Sequence, residues 1–151
     1  MEWRFLESND FEWMMYITKE HHVESDWSEV EYDEEKVAKY VDSMTNDPNY
    51  FGIVALKDEE RIGFMAGKML EYNFSREKFA RELELYVEPT KRNGMTGIFM
   101  MRKFMDWAKM NGAYEVYFEP RLSDNETKKF DAMAKRLGME HFANAYRRKL
   151  A

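Results

Sequence analysis

In this 151-residue sequence, a strand pattern runs into a basic, glycine-bearing turn and then into a helix pattern, and this succession limits the possible folds. Residues 80–88 alternate in character, which is typical of a strand with one buried face. Pro89 ends the strand, and residues 90–97 form a turn before a helix that starts near Gly94 or Met95. The alternation predicts two faces, with Leu83, Leu85 and Val87 on one and Glu82, Glu84 and Tyr86 on the other.

This turn has the physical features of a phosphate-binding loop. Backbone N–H groups at a helix start have no intrahelical partner, and with the helix dipole they attract anions. A glycine lets the backbone approach a ligand closely, and Arg92 can add a charged fork to a phosphate oxygen. The Gly-x-x-x-x-Gly-Lys-Ser/Thr and Gly-x-Gly-x-x-Gly motifs do not occur. On the local pattern alone, an ordinary tight turn leading into a core helix fits equally well.

Hydrophobic periodicity along the chain predicts an α/β (α+β) fold. Four segments have apolar residues at helical spacing, and shorter apolar runs predict six strands. The predicted order, β-α-α-β-β-β-α-β-α-β, indicates a mixed sheet. No repeat, linker or low-complexity tract interrupts it, so residues 1–151 are interpreted as a single domain. The predicted strands are 2–7, 50–56, 62–70, 80–88, 114–118 and 141–150, and Ser123 with Glu126 predicts a capping box for the last helix.

Composition excludes several kinds of site. The chain has no cysteine, which rules out disulfides, thiolate zinc sites and cysteine nucleophiles. Adjacent histidines point in different directions in a strand or a helix, so His21 and His22 form a poor metal clamp. We assign these two and His141 structural or solvated roles, and we predict no metal site.

Charge and hydropathy bear on location and partners. The net charge of −6 argues against a nucleic-acid partner, because such proteins usually carry a basic face. No apolar run approaches the roughly 20 residues that a membrane span needs, and the N-terminus lacks the features of a secretory signal. We expect a cytoplasmic protein without membrane or nucleic-acid partners. The short basic clusters at 91–92 and 147–149 suit a small phosphate ligand better than a long polyanion.

Motif and element order together resemble the GNAT superfamily of N-acetyltransferases over nearly the whole chain. The family signature is Arg or Gln, two residues, Gly, one residue, then Gly or Ala, after a strand that ends in Val-x-Pro. Residues 87–89 (Val-Glu-Pro) match the strand end, Arg92 the basic position and Gly97 the last glycine. The Arg-Leu-Gly-Met at 136–139 resembles the family's late Leu-Gly-Phe, and residues 146–150 resemble its closing strand.

The signature also departs from the family pattern. Its central glycine position falls on Met95, whereas Gly94 lies one place earlier. This form resembles GNAT proteins of bacteriophages. A second register, with Lys91, Gly94 and Thr96 on the signature, breaks the spacing to the strand end and ranks second.

The resemblance implies a mostly antiparallel sheet flanked by helices, and acetyl-CoA as the cosubstrate. The pyrophosphate is then expected on the turn and the pantetheine arm beside the strand, with a backbone N–H near Val87 polarising the thioester carbonyl. The amine attacks directly, without a covalent enzyme intermediate. The implied cofactor-binding residues are Leu85, Tyr86, Val87, Arg92, Asn93, Gly94, Met95, Thr96 and Gly97.

Catalytic residues follow less directly from the resemblance. GNAT proteins often use a carboxylate on this strand to deprotonate the amine. Glu84 is our first candidate and Glu82 our second; the alternative is that both are solvent-facing surface charges. The tyrosine that many members use to protonate the thiolate is replaced by Ala134. Either Tyr146, Tyr117 or water takes that role, or the thiolate leaves without a proton donor.

The resemblance implies that the first two helices and their connection form the wall that binds the acceptor. A segment rich in acidic residues falls in this connection. Such a wall attracts and steers a cationic amine; the alternative is a solvated loop. Trp27 and Tyr32 stack on an acceptor in the first case and anchor the loop in the second. The acidic residues are Glu24, Asp26, Glu29, Glu31, Asp33, Glu34 and Glu35.

The sequence therefore predicts an acetyl-CoA-dependent N-acetyltransferase, monomeric or homodimeric, acting on a small cationic amine or a protein amine. The alternative is a non-catalytic GNAT-fold module with a structural or protein-binding role, as in a phage.

Overall fold

Five strands form one mixed sheet in the first of two compact units, Met1–Glu119 and Pro120–Ala151. The computed structural model describes residues 1–120 and 124–150. The first four strands pair antiparallel in chain order, and the fifth pairs parallel with the fourth, so the predicted mixed, mostly antiparallel sheet is confirmed. The strands are β1 (Glu2–Phe5), β2 (Tyr50–Lys57), β3 (Glu60–Glu71), β4 (Lys78–Val87) and β5 (Ala113–Tyr117).

Three helices of this unit pack on the sheet because each has an apolar stripe. The helices α1 (Phe11–Glu24) and α2 (Glu34–Asn46) share a core with Val54, Phe64 and other residues of the central strands. The third helix, α3 (Met95–Met110), buries its own stripe against the strands through Phe104. Gly67 of β3 lies directly under that ring, since a Cβ there would come within 2.2 Å of it.

A buried carboxylate joins the beginning of the chain to β3. Asp10 is 1% exposed and accepts hydrogen bonds from Arg4 (2.6 and 3.0 Å), Arg61 (2.7 Å) and the Glu7 backbone N–H (2.8 Å). Burial alone raises the pKa of a carboxyl, but these donors outweigh it and lower the pKa of Asp10 to about 2.

Strand β4 contains a β-bulge. Glu84 pairs with Ala66 of β3 and Glu82 pairs with the next residue, Gly67, so Leu83 is an extra residue without a partner on β3. Such an insertion offsets the alternation of side chains along the strand.

Strand β4 also extends beyond the end of its neighbour β5. The parallel pairing ends at Arg81 and Tyr117, whereas the pairing with β3 continues to Val87. Residues 82–87 therefore present a backbone edge that no strand of the described part of the chain covers. An extended ligand can pair with such an edge.

The described residues of the second unit contain one helix, α4 (Asp124–Arg136), which is followed by a left-handed turn at Gly138 (φ 75°). Residues 139–150 form neither helix nor strand and are mostly exposed, so the predicted last strand over 141–150 is wrong. A strand needs a neighbour that takes up its backbone hydrogen bonds, and this segment pairs with no strand of the described residues. The predicted cap at Ser123 lies outside the described residues. Among the described helices, none has both the length and the apolar character to cross a membrane.

Candidate active site

Two consecutive side chains of β4, Leu83 and Glu84, reach the same cavity. The prediction that Leu83 shares a face with Leu85 and Val87 is wrong, because the bulge offsets the alternation at this residue. Leu85 does lie on the α3 side, with its Cδ2 3.8 Å from the position of a Cβ on Gly97. The bulge thus brings an apolar side chain and a carboxylate together.

Glu84, the favoured base of the sequence analysis, forms a hydrogen bond with an imidazole. Its Oε2 lies 2.7 Å from Nδ1 of His21, and the two side chains are only 20% and 28% exposed. The His21 ring stacks on Tyr86 with centroids 4.7 Å apart, which fixes its plane. Burial and the nearby Glu84 carboxylate raise the pKa of Tyr40 well above its ordinary value, so this hydroxyl stays protonated.

The cavity beside this pair has a volume of about 380 Å³. Its walls come from α1, α2, β4 and the connection between the two helices. Trp27, Tyr32 and Tyr40 supply aromatic surface, and Glu31 and Asp33 supply carboxylates. A cavity of this size and lining suits an ammonium group carried by a small molecule or by a single amino-acid side chain.

Only part of the predicted acidic wall lines the cavity. Glu31 and Asp33 do, and Asp33 also caps α2 by accepting a hydrogen bond from the Lys36 backbone N–H (3.0 Å). The other acidic residues lie elsewhere: Glu24 pairs with Arg92, Glu34 with Lys19 and Glu35 with Lys39, while Asp26 and Glu29 are exposed.

Arg92 links the predicted phosphate turn to the end of α1. It donates two hydrogen bonds to Glu24 (2.7 and 3.0 Å) and one from Nε to the Val87 carbonyl (2.8 Å). Its guanidinium lies 5.1 Å from the ring centroid of Tyr86, whose hydroxyl donates to Glu24 (2.6 Å). Arg92 and Tyr86 lower the pKa of Glu24, and burial together with Glu24 raises the pKa of Tyr86 to about 12.

The turn itself has the expected glycine geometry and an unexpected cap. Gly94, the N-cap of α3, has a φ of 77°, and no atom lies within 4 Å of the place that its Cβ would take. Asn93 Oδ1 accepts hydrogen bonds from the backbone N–H groups of Met95 (3.0 Å) and Thr96 (3.3 Å). Two of the helix-start donors are thus engaged by a side chain. Thr96 is buried, whereas Met95 is exposed and Gly97 lies in the first turn.

Glu82, the second candidate base, is separated from Glu84 by the bulge. It pairs with Gly67, which faces Phe104 of α3, and its Oε2 accepts a hydrogen bond from the Glu119 backbone N–H (3.4 Å). Burial raises its pKa. Its role as a base stays a prediction.

The candidate proton donors lie in different parts of the chain. Tyr146 and Ala134 belong to the second unit, and the Tyr146 ring is exposed. Tyr117 ends β5 and donates a hydrogen bond to Glu115 of the same strand. A role for Tyr146 in catalysis stays a prediction.

Sequence reasoning missed His21, which it had treated as structural or solvated. Its partner Glu84 is 63 residues away, so no local motif joins them. A weaker signal was present: His21 follows Thr18 by three positions and continues the stripe of Met14 and Ile17, which α1 buries. A polar side chain on such a stripe needs a buried partner.

The site fits acetyl-CoA on structural grounds. The free edge over residues 82–87 offers backbone groups to an extended arm, and Gly94 leaves room for close approach to the turn. Within residues 1–120 and 124–150, no group of three or more His, Asp or Glu side chains is arranged so that it could hold a metal ion.

Comparisons with known proteins agree with this geometry. The profile of the Acetyltransferase (GNAT) family matches residues 9–139. No curated protein matches the sequence. An aminoglycoside acetyltransferase from an uncultured soil metagenomic sample, in complex with sisomicin, is 19% identical with a TM-score of 0.70, over 98% of this chain and 95% of that one.

Two further solved structures share the fold. A ribosomal-protein-alanine N-acetyltransferase from Brucella melitensis biovar Abortus 2308 is 11% identical with a TM-score of 0.69, over 99% of this chain and 100% of that one. A "predicted acetyltransferase with acetyl-CoA" from Clostridium acetobutylicum is 13% identical with a TM-score of 0.74, over 99% of this chain and 96% of that one. At these identities the likeness establishes the fold alone, but the profile covers most of the sequence, and the chain therefore belongs to the GNAT family of acetyltransferases.

Proposed function

We propose that the protein is an N-acetyltransferase that passes the acetyl group of acetyl-CoA to the amine of a small cationic molecule or of a protein. One observation carries the proposal: the cavity beside the open edge of β4 brings the Glu84–His21 pair together with aromatic and acidic side chains. An amine acceptor needs both a base and a site that tolerates its positive charge.

The cosubstrate side consists of the strand edge and the turn. Residues 85–87 pair with the pantetheine arm, and the turn from Arg92 to Gly97 holds the pyrophosphate, with Gly94 admitting the close approach. When bound, acetyl-CoA supplies a thioester carbonyl as the electrophile. Arg92 contributes as one of several donors, since its guanidinium is shared with Glu24.

The acceptor side is the cavity wall. Glu31 and Asp33 attract an ammonium group, and the Trp27 and Tyr32 rings favour a cation near their faces. One structural relative is an aminoglycoside acetyltransferase, and another is a ribosomal-protein-alanine N-acetyltransferase. Their names support the two proposed acceptor classes, a small cationic molecule and a protein.

The chemistry at the cavity is deprotonation followed by direct attack. An ammonium is not nucleophilic, so it first gives a proton to the Glu84–His21 pair. The neutral nitrogen then attacks the carbonyl carbon, and the thiolate leaves. Tyr146 and Glu82 remain proposed contributors to proton transfer.

The test is acetyl-CoA turnover by the purified protein with a panel of amines, peptides and aminoglycosides. We expect thiol release and an acetylated product with at least one acceptor. Glu84→Gln should lower kcat about 10²- to 10⁴-fold. Glu71→Gln, an exposed carboxylate at the opposite end of the β3–β4 pair, is the matched control and should keep wild-type rates.

Absence of turnover with every acceptor, while acetyl-CoA still binds, would contradict the proposal and support the non-catalytic alternative. Full activity in Glu84→Gln would remove the Glu84–His21 pair from the mechanism and leave the acyltransferase activity standing.

A further inference from the structure

We propose that His21, oriented by Glu84, is the catalytic base that takes the proton from the acceptor ammonium. The proposal rests on the function proposed above and names the base within that site. Three observations carry it: His21 lines the cavity, its Nδ1 is bonded to Glu84, and its ring is stacked on Tyr86.

The hydrogen bond assigns the two ring nitrogens. An ionised carboxylate only accepts, so Nδ1 of His21 carries the hydrogen that it donates to Glu84. In the neutral ring, Nε2 then holds the free lone pair. The carboxylate both fixes this tautomer and stabilises the imidazolium that forms when Nε2 takes a proton, as in other carboxylate–histidine pairs.

The imidazole is better suited to the reaction than the carboxylate. A general base works best when its pKa lies near the working pH, and histidine has an ordinary value of about 6.5, against about 4.3 for glutamate. Oε2 of Glu84 is already engaged with Nδ1 of His21. Stacking on Tyr86 and the partial burial of both side chains hold the ring in one orientation.

Charged and titratable side chains from several elements surround His21. Those near the ring are Glu82, Glu84 and Tyr86 of β4, Tyr40 and Lys36 of α2, and Glu24 of its own helix. The same cavity is also lined by His22, Glu31, Tyr32 and Asp33. Arg92 neutralises Glu24, and the hydroxyls of Tyr40 and Tyr86 stay protonated because their pKa values are raised. Glu84 is thus the anion in direct contact with the ring.

A single base is enough to balance the protons of the acetyl transfer. The acceptor ammonium gives one proton to Nε2 of His21, and its neutral nitrogen forms the new N–C bond. The C–S bond breaks and the thiolate departs. The second proton of the attacking nitrogen passes through solvent to that thiolate, and His21 returns its own proton to solvent. One amide, one thiol and one proton result from one ammonium and one thioester.

The first experiment compares His21→Gln with His22→Gln. Both remove an imidazole from the same helix turn at the cavity, and glutamine keeps an amide donor for Glu84. We expect His21→Gln to lower kcat about 10²- to 10⁴-fold, with unchanged acetyl-CoA affinity and melting temperature. The acidic limb of its pH–rate profile should disappear, whereas His22→Gln should retain that limb.

Two further readouts separate a chemical role from a structural one. Added imidazole should restore part of the activity of His21→Ala. A hydroxylamine acceptor, which is already neutral at neutral pH, should be acetylated by wild type and His21→Gln at similar rates. A merely structural histidine would give no imidazole rescue and would slow both acceptors equally.

The outcomes distinguish this proposal from the one on which it rests. If the wild type is active and His21→Gln keeps its rate and the acidic limb of its pH–rate profile, the role of His21 is overturned. If Glu84→Gln then loses both the rate and the acidic limb, Glu84 is the base. A wild type that acetylates no amine would overturn the proposed function itself.

Discussion

Replacing Gly94 by Asp tests where the acetyl-CoA pyrophosphate binds, with Gly94→Asn as the matched control. The left-handed φ of 77° costs most residues about 1–2 kcal/mol, but Asn and Asp adopt it more readily than others. No atom lies within 4 Å of the new Cβ, and both residues are good helix N-caps. Both variants should therefore fold, and they differ from each other only in charge.

The magnitude follows from that single charge. Two like charges about 4 Å apart repel by about 1 kcal/mol in water and about 4 kcal/mol near a protein surface. Acetyl-CoA should thus bind Gly94→Asp about 5- to 1,000-fold more weakly than Gly94→Asn. Because salt screens exposed charges, the difference should shrink as ionic strength rises. Arg92→Ala should have a smaller effect, since that side chain is one of several donors.

Isothermal titration calorimetry of both variants gives the affinities, and thermal melts without ligand confirm that each is folded. Ligand binding should raise the melting temperature of Gly94→Asn more than that of Gly94→Asp at equal acetyl-CoA concentration. Equal affinity in the two variants at low salt would show that the pyrophosphate binds away from this turn.

Three other predictions concern the acceptor wall and the stability of the fold. Replacing Glu31 by Gln and Asp33 by Asn should raise KM for a cationic acceptor but not for acetyl-CoA, and the wild-type KM for that acceptor should rise with salt. Steady-state kinetics measure both effects, and if neither is seen, these residues are a solvated surface. Because the pKa of Asp10 is about 2 instead of its usual 3.8, the charge contributes about 2 kcal/mol of stability above pH 4, which should be lost as the pH falls through about 2; denaturant titrations of wild type and Asp10→Asn should converge at low pH if this is correct. Gly67→Ala should cost about 1–3 kcal/mol of unfolding free energy because its Cβ would come within 2.2 Å of Phe104, and an unchanged denaturation midpoint would contradict that packing.

Most elements of the fold could be predicted because their periodicity is local. The stripe of Val37, Val41 and Met44 predicted α2, and the structure places that helix at Glu34–Asn46 with Val41 and Met44 buried. The predicted strand over 141–150 was wrong because strand formation, unlike helical periodicity, is not a local property. Apolar residues alone favour a strand, but whether a strand forms depends on a neighbour that no local pattern reveals.

The candidate site was predictable in part. The turn glycine and the strand carboxylate follow from a motif, and both lie at the expected elements, Gly94 before α3 and Glu84 on β4. The bulge at Leu83 could not be predicted, because its sequence alternates as a regular strand does. The pairing of His21 with Glu84 depends on the packing of α1 against the sheet and is a property of the tertiary structure.

Acetyl transfer to an amine is tested most directly by mass spectrometry of an acceptor incubated with the purified protein and isotopically labelled acetyl-CoA. We predict that a cationic amine gains one labelled acetyl group, that one thiol is released per product, and that His21→Gln and Glu84→Gln both form the product far more slowly than wild type. A folded protein that binds acetyl-CoA and labels no amine in a panel of polyamines, aminoglycosides and peptides would contradict this prediction.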